Sequence, residues 1–441
     1  MDRRKFIKQS SLAGGGVLIS SSVLSFPQKQ TLSSDKKVLI IGAGAAGLYA
    51  GYTLHKQGID FTILEASNRI GGRLGKREDF ADFPIDLGAQ WLHGKKSIAG
   101  KLVKKKGVAI TEDESELAYW FTGKMRQELP KDVVSIVQGD RNSPDISYRE
   151  YAKQQGLGDE YRFIVEQIAG DYGADSNDMS VKWTAVEEYD WSSGNKDYKF
   201  ERTYFDLIND HITAYIEDKV LLETIVSKID YSDEKVVVTD KSGREYEADK
   251  LLITVPIPIL QQADIEFSPQ LPKEKTDAFQ KIGMGAGMKV FLKFKEKFYD
   301  ENIIGGPICA AYADETVGKN GKDHVLLAFV MGKQAEYLSS LGSPASICRE
   351  LLAELDDMYQ GKASASFAGI HVEDWGQNPF IKGAYSYSKV GIGNARNIAA
   401  QAVSDKLFFA GEAMNLNGHH ATVHGAMETG YEQALKIADL L

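Results

Sequence analysis

A buried strand that leads directly into a glycine-rich turn is the sequence feature that most constrains how this chain folds. Val38–Ile41 is a continuous apolar run, and the turn Gly42–Gly47 follows it without a break. A helical segment, Ala45–Gln57, ends at a glycine, and a second apolar run, Phe61–Leu64, comes next. Continuous apolar runs around a helix are typical of parallel strands that are buried on both faces. The pattern therefore predicts a βαβ unit of an α/β fold.

The glycines and one acid predict what this turn binds. Gly42 permits the tight turn, Gly44 lets a pyrophosphate approach the backbone, and Gly47 lets the helix pack against the strand. The amides at the helix N-terminus can then hold phosphate oxygens. Glu65 follows the second strand, at the spacing where a carboxylate accepts both hydroxyls of an adenosine ribose. We therefore predict a dinucleotide site.

A second glycine turn favours FAD over NAD. The segment Arg69–Arg73 places Gly72 and Arg73 where they suit the far side of a diphosphate. Together with the first turn and Glu65, this motif resembles the flavin-containing amine oxidase superfamily. The resemblance implies that Glu65 binds the adenosine ribose and that Arg73 contacts the pyrophosphate of FAD.

The segment Asp86–Gly94 is similar to the family segment that passes along the flavin ring and opens into the substrate cavity. Amino-acid oxidases of the superfamily have an arginine after the corresponding Gly-Ala pair, whereas this chain has Gln90 and Trp91. Polyamine oxidases resemble this chain more closely, including a histidine at the position of His93. The residues alone leave a second interpretation open, in which Trp91 is a core residue and His93 lies at the surface.

The middle of the chain, from about 95 to 218, is mostly helical in composition and carries an acidic cluster, Glu187–Trp191. These acids could attract an ammonium group, but their spacing favours a solvated acidic face. Apolar runs resume at Leu221–Val226, predicted as a strand, and at Lys235–Thr239, predicted as part of a hairpin. The resemblance implies that the backbone of Val226 meets the adenine.

Lys289 lies in an alternating strand, Gly287–Phe294, whose periodicity alone predicts a solvent-facing lysine at a sheet edge. The resemblance implies the opposite, because amine oxidases have a lysine here that hydrogen-bonds flavin N5 through a water. Such a cation can stabilise charge on reduced flavin and assist oxygen reduction.

Trp375 and Tyr385 are spaced as in polyamine oxidases and lysine-specific histone demethylases, which implies that Tyr385 is one wall of an aromatic site for an amine. Some monoamine oxidases have, just before this tyrosine, a cysteine that bonds to the flavin. This chain has Ala384 instead, so the resemblance implies non-covalent FAD.

The last motif joins a strand, a turn and a helix. Gly411 and Glu412 resemble the family's contact with the ribityl chain, and the helix that follows Thr422 implies a positive N-terminus at the flavin pyrimidine edge. Thr422 stands where several family members have a second cage tyrosine. A rival interpretation takes His420 and His424 as metal ligands on one helix face, but no glutamate follows His420 as in known zinc motifs, and we predict no metal.

The predicted site contains five side chains at the reacting end and a longer set around the cofactor. The predicted catalytic residues are Lys289, Tyr385, Trp375, Thr422 and His93. The predicted cofactor-binding residues are Gly42, Gly44, Ala46, Gly47, Glu65, Gly72, Arg73, Gly88, Ala89, Gln90, Trp91, Val226, Gly411, Glu412, Thr422 and Val423.

The resemblance implies two domains built from interleaved segments. A discontinuous Rossmann-type FAD-binding domain would contain residues 36–94, 220–285 and 385–441. An inserted α+β substrate-binding domain would contain residues 95–219 and 286–384.

Residues 1–30 are expected to be an export signal. Arg3 and Arg4 are followed by a short apolar stretch, which resembles a twin-arginine signal read by the twin-arginine export machinery. This interpretation predicts an exported, periplasmic or extracytoplasmic protein, anchored if the signal stays uncleaved. A basic disordered tail is the alternative.

Charge and cysteine content exclude other classes. The net charge of -10 argues against nucleic-acid binding and favours cationic ligands, and two cysteines without a CxxC pair exclude thiolate zinc sites and iron–sulfur clusters. We therefore predict oxidation of amines, with polyamines such as spermidine and spermine as the substrate class, by hydride transfer to flavin N5. The imine would hydrolyse to aldehyde and amine, and O2 would reoxidise the flavin to give H2O2. The alternatives are an amine dehydrogenase that reduces a cytochrome or quinone, an L-amino-acid oxidase, and a non-catalytic flavin-binding protein.

Overall fold

The computed structural model describes residues 36–130, 133 and 137–441. The predicted export segment, residues 1–30, lies outside the described residues. Among the helices of the described ranges, none is long and apolar enough to cross a membrane.

A five-stranded parallel sheet forms the centre of the nucleotide-binding part. Its order across the sheet is Val220–Leu221, Asp60–Leu64, Lys37–Ile41, Lys250–Ile253 and Leu407–Phe409. Alternate residues of the central strand enter two different hydrophobic clusters, since Val38 and Ile40 pack on one face while Leu39 and Ile41 pack on the other. The sheet is therefore buried on both faces, as the continuous apolar run predicts.

Two helices from opposite ends of the sequence pack together on one face of this sheet. Helix Ala45–Gln57 begins in the glycine turn and ends at Gly58, as predicted. Helix Val423–Asp439 lies against it, so closely that a Cβ on Gly430 would be 2.2 Å from the carbonyl oxygen of Ala46. The glycine at 430 thus allows the two helix backbones to touch.

The predicted strand Leu221–Val226 is wrong as one element. Only Val220–Leu221 joins the parallel sheet, and Glu223 then takes a left-handed conformation with φ of 55°. The chain leaves through backbone hydrogen bonds from Glu223 to Ser67 and from Thr224 to Glu65. Val226 begins a four-stranded sheet in the order Glu245–Ala248, Val236–Asp240, Val226–Asp230 and Glu266–Ser268.

A seven-stranded sheet forms the other large layer. Its order is Phe367–Asp374, Gly287–Phe294, His324–Met331, Ala311–Asp314, Asn302–Ile304, Leu117–Phe121 and Lys124–Arg126. The strand that carries Lys289 has a neighbour on each side, so the sheet-edge interpretation of its periodicity is wrong. The mostly helical interpretation of residues 95–218 is also incomplete, because this region supplies strands to the seven-stranded sheet.

Smaller pairings connect the remaining strands. A three-stranded sheet has the order Trp91–His93, Asp197–Phe200 and Ile110–Glu112, and the two-stranded pairs are Lys76–Arg77 with Ile85–Asp86 and Ile282–Met284 with Ser386–Ser388. The other α-helices of the described residues are Ile98–Lys106, Tyr148–Gln154, Arg162–Asp171, Val181–Asp190, Tyr204–His211, Ile257–Gln261, Lys273–Lys281, Gly332–Ser340, Pro344–Tyr359, Lys362–Ser366 and Ala395–Ala400.

The strands of the two large sheets come from interleaved stretches of the sequence. The parallel sheet takes its strands from residues 36–94, 220–285 and 385–441, while the seven-stranded sheet takes its strands from residues 95–219 and 286–384. Two pairings among the described residues join the two sets: the strand Trp91–His93 pairs with Asp197–Phe200, and an isolated bridge joins Met179 to Lys389. The exact domain boundaries stay a prediction.

Candidate active site

The first glycine turn leaves open space where the sequence predicts a pyrophosphate. A Cβ on Gly42 would be 2.7 Å from the Thr254 hydroxyl, and one on Gly47 would be 1.9 Å from the Gly42 carbonyl oxygen. Gly44, by contrast, has no atom within 4 Å of the Cβ position. Gly42 and Gly47 are therefore needed for the turn itself, whereas at Gly44 only a group from outside the chain needs the space.

Glu65 fixes this turn from the end of the second strand. Its carboxylate accepts hydrogen bonds from the Ala43 amide at 2.6 Å and from the amide and hydroxyl of Ser67 at 2.9 and 2.8 Å. The side chain is buried and lines the cavity described below. The acid is thus held in place beside the turn, and its role toward an adenosine ribose stays a prediction.

The second turn lies against the first. The Arg69 guanidinium donates to the carbonyl oxygens of Ile70, Gly72 and Leu74 at 2.8 to 3.1 Å and so braces the turn. A Cβ on Gly72 would be 3.4 Å from the Cα of Gly44, so the two turns border the same space.

Arg73 joins this turn to the C-terminal motif. Its Nη1 donates to the Ala384 carbonyl at 2.8 Å and forms an ion pair with Glu412 at 3.0 Å. Burial raises the pKa of the Glu412 carboxyl, but the charge of Arg73 and a hydrogen bond from Ser386 lower it more, so this pKa lies below its ordinary value. Glu412 is therefore a buried carboxylate that orients Arg73.

One cavity of about 550 Å³ is lined by residues from both turns, the long antiparallel sheet and the C-terminal helix. Every predicted site residue except Gly47 lines it. At the turn end these are Gly42, Gly44, Ala46, Glu65, Gly72, Arg73, Val226, Gly411 and Glu412; toward the seven-stranded sheet they are Gly88, Ala89, Gln90, Trp91, His93, Lys289, Trp375, Tyr385, Thr422 and Val423.

Lys289 is a buried cation with three protein acceptors. Its Nζ donates to the carbonyl oxygens of Asp86, at 2.5 Å, and Gly88, at 3.1 Å, and to the side-chain oxygen of Gln90. Only 2% of the residue is exposed. Burial lowers the pKa of Lys289 to about 8, and the negative charges of Glu315 and Asp86 oppose that shift.

Aromatic rings form the walls near Lys289. The Tyr385 hydroxyl donates to the carbonyl oxygen of Asp171 at 3.1 Å, and its ring lies where a Cβ on Gly173 would be 2.8 Å away. The Trp375 indole donates to the Leu87 carbonyl at 2.9 Å, and this ring is almost fully buried. Both rings are thus held by backbone contacts rather than by each other.

Trp91 and His93 both reach the cavity from one short strand. Trp91 donates to the Asp113 carboxylate at 2.8 Å, and the Nδ1 of His93 lies 2.8 Å from the Asp197 carboxylate. Trp91 packs against a small hydrophobic cluster and also lines the cavity, so the core interpretation holds for it only in part. The interpretation of His93 as a surface residue is wrong, because His93 is partly buried and lines the cavity.

Thr422 caps the C-terminal helix. Its hydroxyl accepts from the Gly425 amide at 2.9 Å and donates to the His419 carbonyl at 2.6 Å. The hydroxyl is thus used within the helix cap, while the residue itself lines the cavity next to Val423.

Several lining residues were missed by sequence reasoning. Asp171 ends the helix Arg162–Asp171, and Phe329 and Met331 belong to the strand that pairs with the strand of Lys289. Asp264 and Lys382 form an ion pair at 2.5 Å on the cavity wall. Nothing in their local sequence distinguishes these residues from ordinary helix, strand or loop residues, so only the folded arrangement identifies them.

The acidic cluster is only partly the solvated face that we predicted, because Tyr189 and Asp190 are exposed whereas Glu187 is not. Glu187 is largely buried; it pairs with the Nε2 of His420 at 3.0 Å and accepts from the Ser388 hydroxyl. Burial raises the pKa of Glu187, but the charges of His420 and Arg396 lower it more. Neither Glu187 nor Glu188 lines the cavity, so these acids do not meet a ligand there.

The rival metal interpretation rested on a helix that begins later than assumed. The helix starts at Val423, and Ala421 has φ of 60°, so His420 and His424 do not share a helix face. His424 lies 3.1 Å from the Ser193 hydroxyl, whereas His420 pairs with Glu187. No group of three or more potential ligands is arranged to hold a metal ion in the part of the chain that the structure describes.

The residues fit a bound dinucleotide. Gly44 and Gly411 both have open space at the Cβ position, and both line the cavity. The space between them is bordered by Glu65, Arg73 and the N-terminus of the helix Val423–Asp439, which is suited to phosphate or other negative charge.

The fold and the cavity define the class of protein first. A parallel dinucleotide-binding sheet whose glycine turns open toward a buried lysine and aromatic rings is the arrangement of a flavoprotein oxidoreductase. The sequence profile of the family described as flavin containing amine oxidoreductase matches residues 45–438, and the chain belongs to that family. This match confirms the family resemblance. It also confirms the predictions that the protein is an enzyme and that its cofactor is a flavin.

Relatives in this family include demethylases and polyamine oxidases. The chain is 27% identical to human lysine-specific histone demethylase 2 over 96% of its own length and 56% of the relative. It is 26% identical to polyamine oxidase 4 of Oryza sativa subsp. japonica over 96% of its own length and 92% of the relative. The chain thus spans about half of the demethylase and nearly all of the polyamine oxidase.

Solved structures confirm the fold class. A double mutant of putrescine oxidase superposes with a TM-score of 0.79 at 19% identity, covering 92% of this chain and 99% of the other. Cyclohexylamine oxidase from Brevibacterium oxydans superposes with a TM-score of 0.77 at 22% identity and the same coverage.

Proposed function

We propose that this chain is an FAD-dependent oxidase of amines and that polyamines such as spermidine and spermine are its substrate class. The observation that carries the proposal is the continuity of this cavity, because it joins the two glycine turns to Lys289, Tyr385 and Trp91. Because the cavity is continuous, a dinucleotide bound at the glycine turns can extend toward these side chains. The polyamine oxidase among the relatives supports the substrate class.

FAD would be held without a covalent bond. Gly44, Gly411 and the helix that begins at Val423 would receive the pyrophosphate and the flavin, Glu65 the ribose, and Arg73 the phosphate side. Bound FAD supplies a two-electron acceptor. Ala384 cannot form the thioether that a cysteine could, and neither cysteine of the chain lines the cavity. Acid precipitation should therefore leave intact FAD in the supernatant; flavin retained by the polypeptide would contradict this.

The overall reaction follows from the chemistry of an amine. A substrate RCH2NHR′ with O2 and H2O gives RCHO, R′NH2 and H2O2, so the C–H bond breaks, the iminium is hydrolysed and O2 takes both electrons. Tyr385 and Trp91 would orient the substrate between their rings. In its protonated form, below about pH 8, Lys289 would place a positive charge where negative charge develops. The reacting nitrogen must be neutral, so amine deprotonation should raise turnover between about pH 7 and 9, and loss of the Lys289 proton near pH 8 should oppose that rise in the upper half of this range.

Charge and shape favour polyamines over amino acids. Gln90 and Trp91 stand where an arginine would pair with a substrate carboxylate. Asp171 lines the cavity at the C-terminal end of its helix, where carbonyl oxygens and the helix dipole also favour a cation. The net charge of -10 attracts polycations to the protein.

The test is a panel of amines followed by oxygen uptake and peroxide formation. Spermidine or spermine should exceed every L-amino acid in kcat/KM by about 100-fold, which corresponds to burying an unpaired carboxylate. A polyamine and a monoamine of similar length form a matched pair of substrates. Asp171→Asn should lower kcat/KM more for the polyamine than for the monoamine. An L-amino acid or a methylated lysine peptide as the best substrate would overturn the substrate class, and reduction without peroxide would assign a dehydrogenase.

We also propose that the protein is exported by the twin-arginine machinery. Arg3 and Arg4 with the following apolar stretch support this. That pathway carries proteins that are already folded around a cofactor, which suits a chain whose FAD site is built from distant segments.

A further inference from the structure

A buried series of three polar side chains lies behind the cavity wall. Lys289 donates to the side-chain oxygen of Gln90, and the Gln90 amide nitrogen donates to the Glu315 carboxylate at 2.8 Å. All three residues are at most 2% exposed. Lys289 and Gln90 line the cavity, whereas Glu315 does not. Glu315 therefore has hydrogen-bond contact with the cavity-lining residues only through Gln90, while its charge also reaches Lys289 through space.

The chemistry of the three groups fixes the orientation of the middle one. An ammonium group only donates hydrogen bonds, and an ionised carboxylate only accepts them. An amide that lies between them must turn its oxygen toward Lys289 and its nitrogen toward Glu315. A glutamine fits this place because one end of its side chain carries both a donor and an acceptor.

Glu315 is held by the sheet and not by the cavity. It follows the strand Ala311–Asp314, and its backbone amide donates to the Val325 carbonyl at 3.0 Å. Its second carboxylate oxygen has no hydrogen-bond partner among the described residues, so the interaction with Gln90 is the one hydrogen bond found there for this carboxylate. A buried carboxylate held by a single side-chain donor is expensive for a fold to keep without a further role.

Other charges surround Lys289. Asp86 lies on the segment whose carbonyl oxygens accept hydrogen bonds from Lys289, and Glu373 is the cross-strand partner of Lys289 on the neighbouring strand. Lys199 and Lys319 add positive charge, and Lys319 pairs with the Asp86 carboxylate at 3.4 Å. Glu315 differs from Asp86 and Glu373 because its carboxylate is linked to Lys289 through hydrogen bonds of one intervening side chain.

We propose that Glu315 is a positioning residue that fixes the Gln90 amide and, through it, the place and charge of the Lys289 ammonium in the cavity. This inference rests on the proposed function, in which Lys289 acts beside the flavin. The carboxylate sets the direction of the amide, and the amide oxygen then holds one of the three N–H groups of the ammonium. Its negative charge favours the protonated form of that ammonium.

The test compares two substitutions of Glu315 in the holoenzyme. Glu315→Gln keeps an acceptor for Gln90 and removes the charge, whereas Glu315→Met removes both. Glu373→Gln is the matched control, because it removes a negative charge opposite Lys289 that lies outside the series. The first readout is the pH titration of the bound-flavin absorbance, and its Lys289 component is the part that Lys289→Met abolishes. The second is the rate of anaerobic flavin reduction.

Both readouts should separate the hydrogen bond from the charge. In Glu315→Met the titration midpoint should fall by about 1 pH unit or more, and flavin reduction should slow by about 5-fold or more. In Glu315→Gln the titration midpoint should also fall. At a pH below that midpoint, however, the rate of flavin reduction should lie within about 2-fold of the wild-type rate. Glu373→Gln should move the midpoint by less than about 0.3 unit, because this side chain is partly solvent-exposed.

The outcomes that overturn the inference are distinct from those that overturn the proposed function. Equal effects of Glu315→Met, Glu315→Gln and Glu373→Gln would reject the positioning role. If Lys289→Met changes neither the titration nor the rate, the proposed role of Lys289 fails. In that case thermal melting tests the hydrogen-bonded series itself. If the residues are coupled, the melting temperature of the double variant Glu315→Met/Lys289→Met should fall by about 3 °C less than the sum of the falls in the two single variants. Additive losses would reject the series.

Discussion

Lys289 shows how far a single residue can depart from what its local pattern predicts. The alternation of its strand predicts a solvent-facing lysine, yet the strand is internal and the lysine is buried among three oxygen acceptors. Which face of a strand is solvated depends on the layer that covers it, and that layer is formed by residues about 200 positions earlier. Family resemblance could locate this lysine in the site, whereas periodicity could not.

We predict that Lys289→Met slows flavin reduction or reoxidation by about 10-fold or more, equivalent to about 1.4 kcal/mol of lost transition-state stabilisation. The substitution keeps the length of the side chain and removes a charge that burial has already made costly. FAD content and the fold should stay nearly unchanged. Stopped-flow measurement of both half-reactions checks this.

Lys293→Met is the matched control, because Lys293 lies on the same strand and pairs with Asp323 away from the cavity. Its half-reactions should stay within about twofold of the wild type. If Lys289→Met behaves like this control, the assignment of Lys289 to the flavin is wrong.

At the scale of elements, the sequence predicts best what is local. The first strand, its glycine turn and the helix Ala45–Gln57 are correctly predicted because each is specified by adjacent residues. The strand Leu117–Phe121 was missed although one neighbour, Lys124–Arg126, is adjacent in the sequence and only the other lies about 185 residues away. The strand Ile110–Glu112 was missed because it is short and its partner lies about 90 residues away. Glu187 was misjudged for the same reason, since its partner His420 comes from the other end of the chain.

The two glycines of the first turn should differ in what they support. We predict that Gly44→Val lowers FAD affinity by about 10-fold or more, because the new side chain fills the open cradle and meets no protein atom near its Cβ. The melting temperature of the FAD-free protein should change by less than about 2 °C. Flavin titration by fluorescence quenching and thermal melting measure the two effects.

Gly47→Ala provides the comparison, because its Cβ would lie 1.9 Å from the Gly42 carbonyl oxygen. It should destabilise the FAD-free protein by about 2 kcal/mol or more through backbone displacement. A Gly44→Val variant that binds FAD normally would contradict the placement of the cofactor at this turn.

A buried lysine also joins two helices behind the parallel sheet. Lys275, on the helix Lys273–Lys281, donates to the carbonyl oxygens of Ala399 and Gln401 at the end of another helix, each at 2.6 Å. Its Nζ lies 3.8 Å from the centre of the Phe409 ring. Burial lowers the pKa of Lys275 from 10.5 to about 7.

This lysine should give the fold a measurable pH dependence. Between about pH 7 and 10 the unfolded chain binds a proton at Lys275 that the folded chain does not, so the folded state gains up to about 1.4 kcal/mol per pH unit as pH rises. Lys275→Met lacks this gain. Urea denaturation at pH 7, 8 and 9 should show the free energy of unfolding of the wild type rising relative to Lys275→Met. Lys273→Met, at an exposed position, should show no such difference, and a pH-independent gap for Lys275→Met would refute the prediction.

For the whole molecule, the fold class was predictable because three separate motifs carry the family resemblance, whereas the division into two domains stays a prediction. The sequence predicted which motif residues line the cavity, but it did not predict the shape of the cavity or its other walls. Its walls at Asp171, Phe329 and Asp264 depend on how the seven-stranded sheet and its helices close over the turns. Those contacts are not encoded in any one segment.

Export is a property of the whole folded protein if the twin-arginine pathway carries it. We predict that Arg3→Lys together with Arg4→Lys, which preserves the charge, leaves the protein inside the cell with FAD bound. Fractionation followed by flavin measurement in each compartment checks this. Unchanged export of the double variant would indicate a general secretory signal or a tail.

The contact between the helices Ala45–Gln57 and Val423–Asp439 sets the order of events during synthesis. About 360 residues separate Glu65 from Val423. At ~5–20 residues per second, roughly 20–70 s therefore pass between synthesis of the first glycine turn and synthesis of the helix that begins at Val423. During that time one side of the nascent turn stays open to solvent, so we expect the flavin to be retained only after translation of the second helix. Loading with cofactor is therefore a late step, and a ribosome that stalls before residue 423 should release a colourless product.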